Sequence, residues 1–238
     1  MEENVPIRDA DGSIFTFPSV EILRQMTSGL AHLHSKKIVH RDLKPQNVLF
    51  SVRGGTVRAV ISDFGLCKTH RPDMMSLSKG SGVVGTFGWV APEVLKGQST
   101  SYPMDIFSLG CIFYYVLTGG SHPFGEPVHQ TSKIDKGIYK LRGLGIESRG
   151  LIELTLSSFP ASRPTASAIL IHPLFMTMKE QLDFFCIVSD RLDVENNASK
   201  LRGRLENNSS AVINLNWRNK ISDKLMKELD VMRKYRPN

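Results

Sequence analysis

Three short strings between His40 and Glu93 restrict what this 238-residue chain can fold into more than anything else in it. They are His40-Arg41-Asp42-Leu43-Lys44-Pro45-Gln46-Asn47, then Asp63-Phe64-Gly65, then Ala91-Pro92-Glu93. Five residues separate Asp42 from Asn47, so one tight loop can turn a carboxylate inward and an amide oxygen upward. Val48-Leu49-Phe50 and Val57-Arg58-Ala59-Val60-Ile61 flank Gly54-Gly55 and read as two short strands around a turn. That hairpin holds Asn47 and Asp63 at its two ends, close enough to share metal ions. Asp42 is then a candidate base for a hydroxyl, Lys44 a cation able to reach a moving phosphate, and Asn47 and Asp63 oxygen ligands suited to magnesium. The set matches what phosphoryl transfer needs.

The rest of the chain reads mostly as helix. Leu23, Met26, Leu30 and Leu33 recur at spacings of three and four and predict a helix over 19–36. Residues 1–17 read as a polar, turn-rich entry. Residues 66–90, with Gly80, Gly82, Gly85 and Gly88 and few periodic apolar positions, read as a loop suited to a switch. Residues 105–118 are apolar almost all round and predict a buried helix ended by Gly119-Gly120. A short helix is expected over 165–171. Beyond Phe175 the pattern changes: Leu182, Phe185, Val188 and Leu192 mark a new helix, a polar stretch follows, and Ser222 can cap a last helix carrying Leu225, Leu229, Met232 and Tyr235.

Composition excludes several classes. At 41% hydrophobic and 22% charged the chain belongs with folded proteins. Its longest apolar run, Cys111 to Leu117, is far below the ~18 residues that span a bilayer. Cys67, Cys111 and Cys186 fit neither a zinc pattern nor a disulfide framework, so each is expected to be a buried small hydrophobe. The net charge of +7 is spread over the whole chain and permits nucleic-acid contact without showing it.

The three strings, in this order, resemble the protein kinase family. The resemblance implies a mainly α fold with short β hairpins, the larger C-terminal lobe of a kinase over 1–175. No G-x-G-x-x-G and no strand lysine occur in the 39 residues before His40, so the smaller N-terminal lobe is expected to be absent from the chain. By resemblance Lys44 marks Ser/Thr-directed kinases, and Thr86 places a hydroxyl near the base. The resemblance also implies that Glu93 and Arg163 form a buried ion pair and that Asp105 holds the backbone of the catalytic loop, both structural roles. Lys44, Gln46, Asn47 and Asp63 are the candidate nucleotide-binding residues, with ATP and Mg2+ as cofactors. Ser76, Ser78 and Ser81 are candidate phosphorylation sites whose phosphate could pair with Arg41.

A narrower resemblance rests on Ile61-Ser62-Asp63-Phe64-Gly65-Leu66-Cys67-Lys68, Gly85-Thr86-Phe87-Gly88-Trp89-Val90-Ala91, Gly120-Ser121-His122-Pro123-Phe124-Gly125 and Asn216-Trp217-Arg218-Asn219-Lys220-Ile221. Together they are similar to the inositol-requiring kinase–endoribonuclease family, the endoplasmic-reticulum stress sensors of the unfolded protein response. The resemblance implies a partial, helical kinase-extension nuclease domain over 176–238. It also implies autophosphorylation, RNA cleavage after self-association into dimers or oligomers, and a place on the cytosolic side of the endoplasmic reticulum membrane. This chain alone, with no membrane segment, is then cytoplasmic. Tyr235 matches the family's nuclease tyrosine, while the downstream Arg-Asn pair and histidine are not reached; with the upper half of the nucleotide cleft also missing, the isolated chain is expected to have little or no kinase or nuclease activity. The alternative is a non-catalytic dimerisation or regulatory fragment.

Overall fold

The computed structural model describes residues 4–8, 14–53, 56–69, 84–98 and 101–194, together with residues 200, 202, 203, 207 and 227. Two units divide the chain, Met1–Thr177 and Met178–Asn238. The predicted turn at Gly54-Gly55, the serines at 76, 78 and 81, the 211–217 stretch and the predicted last helix with Tyr235 lie outside the described residues, apart from Lys227.

The first unit opens with a feature the sequence reading did not anticipate. Strand β1 (Asn4–Arg8) pairs antiparallel with β2 (Ile14–Pro18) in place of the expected irregular entry. Ile14-Phe15-Thr16-Phe17 is rich in β-formers, and Asp11-Gly12 between the strands is a hairpin-type dipeptide. Helix α1 (Ser19–Ser35) follows and buries Ile22, Leu23, Met26 and Leu30, the face the spacing marks out. The pair β3 (Ile38–Val39) and β6 (Lys68–Thr69) brackets the His40–Asn47 and Asp63–Gly65 strings, and between them β4 (Val48–Arg53) pairs with β5 (Thr56–Ile61). In β5, Val57, Ala59 and Ile61 are buried and alternate with exposed neighbours. Gln25 reaches from α1 to accept the Ala59 N–H at 2.8 Å, fixing the hairpin on the helix.

Five further helices complete this unit among the described residues: α2 (Pro92–Leu95), α3 (Tyr102–Leu117), α4 (Pro127–Lys136), α5 (Ile146–Thr155) and α6 (Ala166–Leu170). Helix α3 starts three residues before the predicted point, because Pro103 suits a first helical turn, where no N–H partner is needed. Every residue from Met104 to Tyr114 is buried, so α3 is the axis of the core, packed by α1, α5 and Phe124. Burying each large side chain there contributes roughly 1.5–3 kcal/mol. Gly110 is where α3 and α5 touch: a Cβ at that position would overlap Thr155 Oγ1, itself donating to the Ile152 carbonyl at 2.8 Å. Helices α4 and α5 lack a long apolar stripe and were not foreseen.

The described part of the second unit is mainly α7 (Met178–Asp193), with Leu182 and Phe185 exposed. Cys111 is buried as expected and Cys67 half-buried, but Cys186 is exposed, because it sits on a face of α7 that no described residue covers. Among the described residues, no helix is long and apolar enough to cross a membrane.

Candidate active site

The site is built outward from Asp105, a buried carboxylate in the first turn of α3. Its Oδ2 accepts the His40 N–H at 2.8 Å and His34 Nε2 at 3.0 Å, and its Oδ1 accepts the Arg41 N–H at 2.8 Å. These bonds clamp the loop that leads into Asp42. They also hold Arg41 at φ 71°, a left-handed conformation that costs a side-chain-bearing residue roughly 1–2 kcal/mol. His40 is fully buried; its Nε2 donates to the Ser62 carbonyl at 3.0 Å and its ring meets Phe64 edge-on at 5.5 Å. One histidine thus ties the Asp42 loop to the residues on both sides of Asp63.

Asp42 lies at the centre of a closed network. Lys44 Nζ donates to Asp42 Oδ2 at 2.7 Å and to Thr86 Oγ1 at 2.7 Å, while Thr86 Oγ1 donates to Asp42 Oδ1 at 2.7 Å. Asn47 Nδ2 donates to the Asp42 carbonyl at 2.8 Å and to Oδ2 at 3.2 Å. Burial alone would raise the carboxyl pKa. The lysine, the hydroxyl and the amide outweigh burial and hold it below the usual carboxylate range, so Asp42 is ionised at neutral pH. Thr86 reaches Asp42 because Gly85 precedes it. Gly85 has φ 109°, and a Cβ there would sit 2.8 Å from the Arg41 carbonyl oxygen. Ser108 Oγ, donating to the Trp89 carbonyl at 2.7 Å, pins the segment after Thr86 to α3.

Asn47 and Asp63 flank the open end of the β4–β5 hairpin. Val48 pairs with Ile61, and Ser62 donates to the Asn47 carbonyl from its N–H at 2.9 Å and its hydroxyl at 3.0 Å. Asp63 is exposed, stands at φ 62°, and accepts the Gly65 N–H at 3.3 Å. Because both bonds of the Asn47 amide nitrogen go to Asp42, its oxygen remains for a ligand. Among the described residues no three His, Cys, Asp or Glu side chains cluster as a metal cage. One amide oxygen and one carboxylate nevertheless fit magnesium, which takes few protein ligands and fills its shell with phosphate and water oxygens. Gln46 is exposed in the short turn Pro45–Asn47.

The flanking groups are firmly tied. Arg41 Nε donates to the Leu66 carbonyl, and Cys67 Sγ lies 3.6 Å from the His40 carbonyl. Burial, with Asp105 adding to it, pushes the Cys67 thiol up to about 11, which makes it a poor nucleophile. Arg163 and Glu93 form a bidentate buried pair at 2.6 and 2.8 Å. Arg163 also donates to the Pro103 and Ser157 carbonyls and lies over the Phe107 ring. That fixes α2, and with it the end of the Thr86 segment, to the core. His34 and Ser62 escaped the sequence reading: a histidine near a helix end and a serine before Asp63 carry no signal until Asp105 and His40 are seen to bond them.

Residues 9–175 match the protein kinase domain, and residues 181–238 match ribonuclease 2-5A. With this fold and this Asp42-centred site, the chain belongs to the protein kinase family. It is similar, at 49% identity over 91% of its length, to the serine/threonine-protein kinase/endoribonuclease ire-1 of Caenorhabditis elegans. It is 44% identical over 90% of its length to the serine/threonine-protein kinase/endoribonuclease IRE2 of Homo sapiens. The sensor for unfolded proteins in the ER ire1 of Schizosaccharomyces pombe matches at 41% over 91%. The chain spans about a quarter of each of these proteins, 23%, 24% and 23% of their lengths.

Proposed function

We propose that residues 1–175 supply the lower half of a serine/threonine kinase site and that 176–238 begin a nuclease-extension domain, both within a kinase–endoribonuclease of the unfolded protein response. The observation that carries the kinase reading is the Asp42 carboxylate, kept ionised and within 2.7 Å of both a hydroxyl and an ammonium. In this reading Asp42 accepts the proton of the attacking serine or threonine hydroxyl, and Lys44 steadies charge on the phosphoryl group. Asn47 and Asp63 hold magnesium, which neutralises the phosphates of ATP, and Gln46 lines the approach. The acceptors are Ser76, Ser78 and Ser81 of the protein's own loop, and Arg41 receives the resulting phosphate. Tyr235 belongs to the RNA-cleaving site of the second domain, which acts on RNA in a self-associated form at the cytosolic face of the endoplasmic reticulum.

A graft tests this reading. Residues 9–238 replace the matching segment of the nematode relative, and phosphate incorporated from magnesium-ATP is located by mass spectrometry. The expected result is labelling within 76–81, lowered ~10²–10⁴-fold by Asp42→Asn, the usual worth of a positioned general base. A folded graft with no labelling, or an Asp42→Asn variant of undiminished rate, would refute the assignment.

A further inference from the structure

A cavity of about 420 Å³ opens between α1, α3 and α6, within the range that binds small molecules. Ala31, Ile106 and Ala166 make its lining largely apolar, and His34 and Tyr102 form one wall with ring centroids 4.8 Å apart. Arg163 also borders it but brings no free charge. Its Nη atoms are bonded to Glu93 and Pro103 and its Nε to Ser157, which disfavours a charged occupant. His34 donates from Nε2 to the Asp105 carboxylate, which can only accept. In the neutral ring this leaves Nδ1 as an acceptor, and among the described residues nothing bonds it. A second link starts from the same side chain, because Asp105 carries the His40 and Arg41 N–H groups.

We propose that this cavity binds a small, neutral, ring-shaped molecule bearing one O–H or N–H donor. Occupancy is felt at the catalytic loop through His34 and Asp105. The apolar lining takes the ring, Nδ1 takes the donor, and any shift of the His34 ring alters the carboxylate that positions residues 40 and 41. The site is separate from the Asp42 network, and its occupancy is read without turnover, so its test stands apart from the kinase reading.

The probe is 4-fluorophenol, titrated into the 238-residue chain at pH 8 and followed by fluorine NMR, with the amide resonances of His40 and Arg41 recorded in parallel. A ligand of this size is expected to saturate with a Kd of the order of 1 mM. The amides of 40 and 41 should shift along the same curve. Ser167 and Ser35 are exposed lining residues, so Ser167→Trp or Ser35→Trp closes the mouth without entering the core. Either variant, folded by circular dichroism, should weaken binding at least tenfold, and His34→Phe should weaken it severalfold. Non-saturable binding, or binding untouched by both tryptophans, overturns the site. Saturable binding with static His40 and Arg41 amides overturns the coupling.

Discussion

Replacing Asp105 by alanine isolates what one carboxylate does for the loop that leads into Asp42. In the parent, two main-chain N–H groups and one imidazole donate to it, at 2.8, 2.8 and 3.0 Å. Each bond to a charged acceptor is worth ~1.5–3 kcal/mol, and a buried donor left without a partner forfeits its desolvation energy in full. His40 is fully buried, so its N–H cannot turn to water. The two amides together therefore cost about 3–6 kcal/mol. Release of Arg41 from φ 71° returns ~1 kcal/mol, giving a net loss of about 2–5 kcal/mol. Against a total stability of the order of 5–15 kcal/mol this is a large fraction. With a urea slope of ~2–3 kcal/mol/M the midpoint should fall by roughly 1–2 M. Asp105→Asn keeps one accepting oxygen but turns an NH₂ toward a donor, and should fall between the two. Urea unfolding followed by tryptophan fluorescence gives the loss, and hydrogen exchange at His40 and Arg41 locates it. A loss below ~1 kcal/mol, with both amides exchanging as slowly as in the parent, would refute the clamp.

Three shorter predictions follow from the same structure. Gly110→Ala drives a methyl into Thr155 and should destabilise by ~1–3 kcal/mol or more in thermal unfolding, while Gly110→Ala combined with Thr155→Ala should recover part of the loss. Arg163→Ala strands the Glu93 carboxylate in the core and should cost about 3–5 kcal/mol, more than the double variant Glu93→Leu with Arg163→Met. Burial pushes His122 down to about 4, against a smaller upward pull from the Gly88 carbonyl, so it folds neutral. Its contribution is complete above the ordinary histidine range and is lost as pH falls from about 6.5 towards 4, because the unfolded chain takes up the proton first. His122→Gln should flatten urea stability across that window, and an unchanged pH slope would refute the reading.

The sequence exposed the parts of the fold that repeat. The three-and-four spacing of Leu23, Met26 and Leu30 located α1 to within a residue, and the almost all-round apolar character of residues 105–118 marked the core helix. The hairpin that brings Asn47 near Asp63 was legible from two apolar runs and a glycine pair. What escaped was set by long-range partners. Nothing local announces that His34 bonds Asp105 across 71 positions, or that His40 bonds the carbonyl of Ser62. Helix α4 has one buried side chain, Ile134, so it has no stripe to read. The β1–β2 pair did leave a local signal, the β-formers Ile14 to Phe17 after Asp11-Gly12, but the acidic Glu2, Glu3 and Asp9 made the entry read as irregular.

Arg41 and Asp63 both bend the main chain into the region where a Cβ is unwelcome. A designer wanting only a sturdier chain would write glycine at both places and relieve strain on either side of the hairpin. Asp63→Gly would gain backbone ease and lose the carboxylate proposed to hold magnesium; Arg41→Gly would gain the same ease and cut the tie to Leu66. Thermal selection for hardier variants should therefore drift toward inert proteins at these two positions, and screens of this chain should score durability and chemistry separately.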